Sequence, residues 1–174
     1  MHIAVESQNE RLVRLLVERG ANISLSDVYG KTPVLIAGEA GNRKLLHLLI
    51  ENGAASQELF SNYPHLLLSS IMCDDYQLAK LLITAGANVN DADSEGKTCL
   101  EHAILRRMSE VCLMLIEHGA NVLSRRRGST TLLYKAHQYG LNIVALKIRE
   151  KGGCMYAHQQ KANSLGSKQQ VFSW

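Results

Sequence analysis

A dipeptide recurs along this chain at a constant interval and limits what the chain can fold into. The marks Gly20-Ala21, Gly53-Ala54, Gly86-Ala87 and Gly119-Ala120 are 33 residues apart, and the same interval leads on to Gly152-Gly153. Five marks at one period indicate an array of structural repeats. In such an array each unit packs against its neighbours, so the chain is expected to be an elongated stack rather than a sphere.

The unit between two marks has the pattern of two short helices. Thr32 followed by Pro33 predicts a helix start, because Thr can cap the first amides and Pro needs no donor there. Gly41 ends that helix, and Asn42 caps a second one that ends at Gly53. Helices this short are stable only when their apolar faces are stacked on neighbours. The apolar stripe of the second helix consists of Leu45, Leu46, Leu48, Leu49 and Ile50.

These residues resemble the ankyrin repeat. The resemblance covers about residues 1–153 and implies an all-α solenoid of helix-turn-helix units with β-hairpin or loop fingers. It also implies that the fingers and first helices line a concave surface that binds other proteins, and that His2 bridges loops by hydrogen bonds. The matching residues are Asp27-x-x-Gly30-x-Thr32-Pro33, Ala37, Gly41, Leu48-Leu49 and Gly53-Ala54.

The repeat register divides the chain into five units and a tail. The first unit is truncated, because Met1 falls where a first helix begins and the finger is absent. Either its first turn frays, or the chain is a fragment whose upstream repeats are missing. The tail, 154–174, is rich in Gln and Ser and is expected to be disordered. The repeats are expected at about 1–23, 27–56, 60–90, 93–123 and 126–153.

The fingers differ between repeats, and the differences provide the candidate binding residues. In repeat three, residues 55–64 lack a tight-turn glycine, which predicts an irregular segment that exposes Phe60, Ser61 and Asn62. Phe60 beside Tyr29 would form an aromatic patch with a large contact area. Repeat four has an acidic finger, and repeat five has an arginine finger. The acidic residues are Asp91, Asp93 and Glu95.

Eight residues are candidate contacts for a partner. The arginines 125–127 allow two interpretations. They form either an anion-binding finger, for an acidic peptide, nucleic acid or lipid headgroup, or a solvated turn that pairs with Asp93 and Glu95. No aromatic residues interleave with it, which disfavours nucleic acid. Met72 and Leu105, near the ends of first helices, are either core residues or exposed. The eight candidates are Tyr29, Lys31, Phe60, Arg106, Arg125, Arg126, Arg127 and Tyr139.

Charge is distributed unevenly along the chain. Residues 1–124 contain 10 Lys and Arg against 15 Asp and Glu, whereas residues 125–174 contain 9 against 1. The two ends of the array should therefore attract different partners. An acidic segment of a protein partner would suit the arginine finger.

Several other classes of protein are disfavoured by the sequence. No run approaches the ~18 apolar residues of a membrane span, and Met1 to Asn9 has no signal-peptide core, so we expect a cytoplasmic or nuclear protein. The seven histidines show no close pairing with Cys or with each other, so no metal or cofactor is expected. No nucleophile lies in a known catalytic motif. Four cysteines without CxxC spacing are interpreted as reduced thiols, namely Cys73, Cys99, Cys112 and Cys154.

The sequence favours a non-catalytic, monomeric protein-binding module. It would hold a protein partner through its fingers and the concave face of its first helices. The alternative is a substrate-recruiting fragment of a larger protein, such as a ubiquitin-ligase adaptor, a kinase or a channel. A third possibility, an enzyme, would require a cleft of convergent polar groups, which stacked repeats do not naturally make.

Overall fold

The computed structural model describes residues 1–123 and 130–153. Within these ranges the chain forms eleven helices joined by short turns within repeats and longer loops between repeats, and no extended strand. The expected all-α architecture is therefore confirmed. The helices are α1 (His2–Glu6), α2 (Glu10–Glu18), α3 (Pro33–Glu39), α4 (Arg43–Glu51), α5 (Gln57–Asn62), α6 (Leu66–Met72), α7 (Tyr76–Thr84), α8 (Cys99–Leu105), α9 (Ser109–Glu117), α10 (Leu132–Gln138) and α11 (Asn142–Glu150).

The helices stack as pairs along one direction. Each first helix packs against the second helix of its own repeat, as α3 does against α4 and α8 against α9. The second helices α2, α4, α7, α9 and α11 also pack on one another in series, and α5 packs against α3. The hydrophobic core consequently runs the length of the array, as expected for a solenoid.

Each second helix ends at one of the recurring glycines. Gly20, Gly53, Gly86, Gly119 and Gly152 have φ between 74° and 92°. The amide of the residue after each glycine donates to the carbonyl oxygen five residues earlier, at 2.8–3.0 Å. These bonds satisfy carbonyls that the helix end leaves without partners. Side chains rarely adopt this backbone conformation, which explains why glycine marks the period.

The turn between the two helices of each repeat also needs a left-handed residue. This residue is Gln8, Gly41, Asp74, Arg107 or Gly140, again at intervals of 33, with φ between 53° and 74°. Three of the five carry a side chain there, although a left-handed conformation costs such a residue roughly 1–2 kcal/mol. The turn geometry is thus retained even where glycine has been replaced.

Helix capping follows the sequence at some positions and departs from it at others. The side chains of Asn42 and Asp75 accept hydrogen bonds from amides at the start of α4 and α7, at 3.1 Å each. Pro33 occupies the first turn of α3 as expected. Thr32 is the N-cap residue of α3 as expected, but its side chain makes no capping bond and its hydroxyl is buried without a hydrogen-bond partner. Ser109 is also not a cap, because the N-cap of α9 is Met108.

The apolar stripe of the template repeat is buried in full, but its counterpart in α2 is not. All five predicted stripe residues of α4 are buried, whereas in α2 only Val13 is. Leu12 is 40% exposed and Leu15 is 44% exposed, although Leu45 and Leu48 are buried at the same register positions. The main packing partners of α2 are α1 and α4, and Leu12 and Leu15 remain exposed beside them.

Candidate binding surface

The finger of repeat two is a rigid turn that projects two apolar side chains. The Asp27 carboxylate accepts hydrogen bonds from the amides of Tyr29 at 2.8 Å and Lys31 at 2.9 Å. Its own amide donates to the Lys31 carbonyl, at 2.9 Å. Val28 is 93% exposed and Tyr29 is 83% exposed at the tip. The bond from the Lys31 amide is the main reason that the pKa of Asp27 lies below its usual value.

Finger two is also attached to the first repeat. The imidazole Nε2 of His2 lies 3.2 Å from the Lys31 carbonyl oxygen, so His2 bridges α1 and the finger as the family resemblance implied. The Lys31 ammonium pairs with the Glu39 carboxylate at 2.7 Å, and this contact raises the pKa of Lys31. Lys31 is therefore half-buried between the finger and the end of α3.

The finger of repeat four repeats this construction. Asp93 accepts from the amides of Glu95 and Lys97, at 2.9 Å each. Its second carboxylate oxygen lies 2.8 Å from Nε2 of His102 on α8. Partial burial alone would raise the pKa of Asp93, but the hydrogen bonds from Lys97, His102 and Glu95 outweigh it and lower the pKa. Fingers two and four are thus both turns held by an aspartate. Finger four also has an isolated antiparallel β-bridge between Ala92 and Thr98.

Repeat three has a helix, α5, in place of a finger, so the expectation of an irregular exposed loop was wrong. Ser56 caps α5 by accepting from the Leu59 amide at 3.3 Å. Phe60 is half-buried and packs against the core, which corrects its expected position on an exposed finger beside Tyr29. Tyr63, which follows α5, donates from its hydroxyl to the Leu35 carbonyl at 3.4 Å. Burial raises the pKa of Tyr63.

Repeats two and three each have a groove, one beside finger two and α3 and the other beside the end of α5 and the start of α6. Groove one has a volume of about 440 Å³ and is lined by Glu6, Asp27, Tyr29, Lys31, Ile36 and Glu39. Groove two has a volume of about 320 Å³ and is lined by Asn62, Tyr63, Pro64, His65, Leu66 and Ser69. Three pairs of lining residues are 33 positions apart, so the two grooves are the same feature in successive repeats. The pairs are Tyr29 with Asn62, Lys31 with Pro64, and Ile36 with Ser69.

Two further candidate residues take part in contacts between repeats. Arg106 ends α8 and is half-buried, with its guanidinium 3.3 Å from the carboxylate of Asp74 in the preceding repeat. Tyr139 ends α10 and is half-buried, with its ring centroid 5.8 Å from the guanidinium carbon of Arg107. Cation–π contacts of this kind stabilise by roughly 0.5–1 kcal/mol at exposed sites. Arg106 and Tyr139 thus connect adjacent repeats, and Arg107 is a participant that sequence reasoning missed.

The remaining candidates have mixed outcomes. Arg125, Arg126 and Arg127 lie outside the described residues. Of the two residues near the ends of first helices that could be either core or exposed, Met72 is 42% exposed, whereas Leu105 is half-buried.

The described part of the chain offers no cluster of metal-binding side chains. In residues 1–123 and 130–153, no three His, Cys, Asp or Glu side chains are arranged to hold a metal ion. Cys73, Cys99 and Cys112 are free thiols. Burial raises the pKa of both Cys99 and Cys112 to about 12. Among the described helices, none is both long and apolar enough to cross a bilayer.

Paired helices, glycines at one period and aspartate-held turns together define a solenoid repeat protein. The family model described as ankyrin repeats (3 copies) matches residues 1–59 and 58–126. The chain belongs to the ankyrin repeat family.

The chain is also similar to individual ankyrin repeat proteins. It is 38% identical over 139 residues to the ankyrin repeat protein FPV219 of fowlpox virus (strain NVSL), covering 80% of this chain and 32% of that protein. The chain therefore spans about a third of the length of this relative. Two solved ankyrin repeat domains are more distant. The one from Acinetobacter baumannii AYE (ABAYE2397) is 21% identical with a TM-score of 0.49, covering 87% of this chain and 96% of that one. The domain of Bcl-3 is 20% identical with a TM-score of 0.47, covering 88% and 86%.

Proposed function

We propose that the chain is a protein-binding module that holds its partner along grooves one and two. Ankyrin repeats are generally protein–protein interaction modules, and the matching family model indicates no enzyme. The observation that supports this surface most directly is finger two, where an aspartate fixes a turn that leaves Val28 and Tyr29 almost fully exposed. An exposed aromatic on a fixed backbone loses little conformational entropy when a partner covers it.

The other candidate residues have secondary parts in this proposal. Lys31 lies in groove one beside Tyr29. Phe60 lines a second cavity, which shares Tyr63, Pro64 and Leu66 with groove two. Arg106 and Tyr139 keep successive repeats in register, and their exposed portions extend the surface toward repeat five. The arginines 125–127 would attract an acidic segment of the partner.

Site-specific photo-crosslinking tests this proposal. A benzoylphenylalanine replaces Tyr29 in one variant and Glu117, an exposed residue of α9 on the second-helix side, in a matched control. We expect covalent adducts with a cellular protein at position 29 and none at position 117. Tyr29→Ala should weaken binding of the captured protein by about 2 kcal/mol, as for a central aromatic contact. Equal adduct formation at the two positions would contradict the proposed surface.

A second proposal is that the module recruits a substrate for a larger protein. The chain spans 32% of the length of FPV219, and the larger protein would be a ubiquitin-ligase adaptor, a kinase or a channel. In either setting we propose a monomeric module that works in the cytoplasm or nucleus. An immunoblot of native cells gives the test. A band well above 19.2 kDa is expected for the larger protein, and a band at that mass alone contradicts it.

A further inference from the structure

We propose that groove two accepts an apolar side chain of an extended partner segment, and that basic residues on either side of it lie against the acidic fingers two and four. This proposal rests on the protein-binding function and names the chemistry of the partner. Three observations carry it: the lining of groove two is mainly apolar, its two neighbours are both acidic, and the repeat spacing matches an extended chain.

Three side chains that line groove two donate hydrogen bonds within the chain. The Tyr63 hydroxyl donates to the Leu35 carbonyl, and the Ser69 hydroxyl donates to the Leu66 carbonyl at 2.9 Å. The Asn62 amide donates to the Glu58 carbonyl at 3.0 Å. The lining therefore presents mainly carbon, from the Tyr63 ring, Pro64 and Leu66. A polar guest would lose its water without gaining a partner there, so an apolar side chain is favoured.

Contacts to both neighbouring repeats position groove two between the fingers. Tyr63 connects it to α3 of repeat two through the bond to Leu35. On the other side, Nδ1 of His65 lies 2.8 Å from the carboxylate of Asp91, which precedes finger four. Groove two is thus flanked by groove one and by finger four.

Both flanks have the same excess of negative charge. Around finger two, Lys31 is the cation among three carboxylates, those of Glu6, Asp27 and Glu39. Around finger four there are three carboxylates and one lysine: His65 contacts Asp91, His102 contacts Asp93, and Lys97 pairs with Glu95. With the two histidines neutral, the carboxylates outnumber the cation by two here as well. A partner segment with Lys or Arg at both ends would complement these flanks, and one with Asp or Glu would be repelled.

The spacing of the repeats sets the spacing of the partner's residues. Stacked helices pack about 8–10 Å apart, so successive grooves are separated by about that distance. A polyproline II segment returns to the same face every three residues, after about 9.3 Å. The matching pattern is therefore basic-x-x-apolar-x-x-basic, with every third side chain facing the array.

Fluorescein-labelled heptapeptides test this pattern by anisotropy. The probe is Arg-Gln-Pro-Leu-Gln-Pro-Arg, and three controls change one feature each: Glu in place of both Arg, Ser in place of Leu, or one spacer residue instead of two. We expect the probe to bind the full chain, at least tenfold more tightly than every control peptide. Its affinity should fall as salt is raised from about 50 to 300 mM, because Glu39 and Glu95 in the two flanks are solvent-exposed.

Matched protein variants locate the bound peptide. Ser69→Trp fills groove two, and Glu39→Lys and Glu95→Lys reverse the charge of each flank. Each should weaken the probe at least fivefold. Gln77→Trp on α7 and Glu117→Lys on α9 make the same changes on exposed second-helix positions and should leave binding unchanged. Thermal melts by circular dichroism confirm that each variant is folded.

Several outcomes would overturn the inference. Tighter binding of the Glu-flanked peptide would show an acidic partner, and equal loss in the Gln77→Trp and Ser69→Trp variants would place binding elsewhere. A dimer in sedimentation that Ser69→Trp abolishes would show that a second copy of the chain occupies the groove. If crosslinks form at position 29 while the peptides do not discriminate, the binding function stands and this partner chemistry is wrong. If the peptides discriminate without crosslinks at position 29, groove two binds this partner chemistry and the contact at Tyr29 is wrong.

Discussion

The ring of Tyr63 lies directly on the backbone of Gly38. A Cβ atom at Gly38 would be 2.7 Å from Cε2 of that ring, closer than such atoms approach in folded proteins. Gly38 lies inside α3, where alanine would normally be favoured over glycine by about 1 kcal/mol. The close approach thus allows the segment after α5 to dock on repeat two, at a cost to the helix.

This contact predicts opposite effects of one substitution in two backgrounds. Gly38→Ala should lower the free energy of unfolding by about 1 kcal/mol, because the Tyr63 ring must move from a half-buried site. In a Tyr63→Ala background the same change should raise it by about 0.5–1 kcal/mol, since only helix propensity remains. Urea unfolding of the native chain, Gly38→Ala, Tyr63→Ala and the double variant measures the coupling free energy between the two residues. An effect of equal sign in both backgrounds would contradict the docking.

The contact also shows where sequence reasoning succeeded and where it failed. The periodic features, such as Gly53 and the stripe of α4, were predicted because each depends on a local requirement of one helix or one turn. Phe60 and Tyr63 were misplaced because the helix α5 is specified by its packing on another repeat, which a repeat register cannot show. Thr32 fits the capping pattern, yet its hydroxyl does not accept the bond. Local propensity is a weak guide where packing between repeats decides the geometry.

The left-handed turn at Arg107 gives a second prediction. At φ 57° a side chain is strained, so Arg107→Gly should be more stable than Arg107→Ala by about 1 kcal/mol. Both variants lose the contact with Tyr139, so their difference isolates the backbone. The matched pair is Gln77→Gly and Gln77→Ala on the exposed face of α7, where the order should reverse by about the same amount. Chemical unfolding gives all four values; glycine being the less stable at both positions would contradict the strain.

A buried ion pair between repeats four and five gives a third prediction. The Lys135 ammonium contacts the Glu101 carboxylate at 2.5 Å, and Glu101 is only 3% exposed. Lys135→Met should destabilise the chain by about 3 kcal/mol, because it leaves a buried carboxylate without this partner.

The double variant Glu101→Leu/Lys135→Met tests the same ion pair by removing both of its charges. It should recover most of the stability lost in Lys135→Met, since replacing both partners with apolar side chains removes the uncompensated charge. Thermal unfolding of the single and double variants measures the recovery. If the double variant is as unstable as the sum of the two single variants, the two residues do not act as a pair.

The aspartates that hold the fingers give a prediction about pH. The pKa of Asp93 is lowered in the folded chain, because the hydrogen bonds from Lys97, His102 and Glu95 outweigh its partial burial. A depressed folded-state pKa contributes stability that is present above the unfolded value of 3.8 and is lost as the pH falls through the folded value. Asp93→Asn keeps an oxygen acceptor for the turn but cannot titrate. Its stability should therefore decline less steeply than that of the native chain below pH 3.8. The measurement is the urea midpoint of each protein between pH 6 and pH 2.5. If this midpoint has the same dependence on pH in Asp93→Asn and in the native chain, the stability of finger four does not depend on the charge of Asp93.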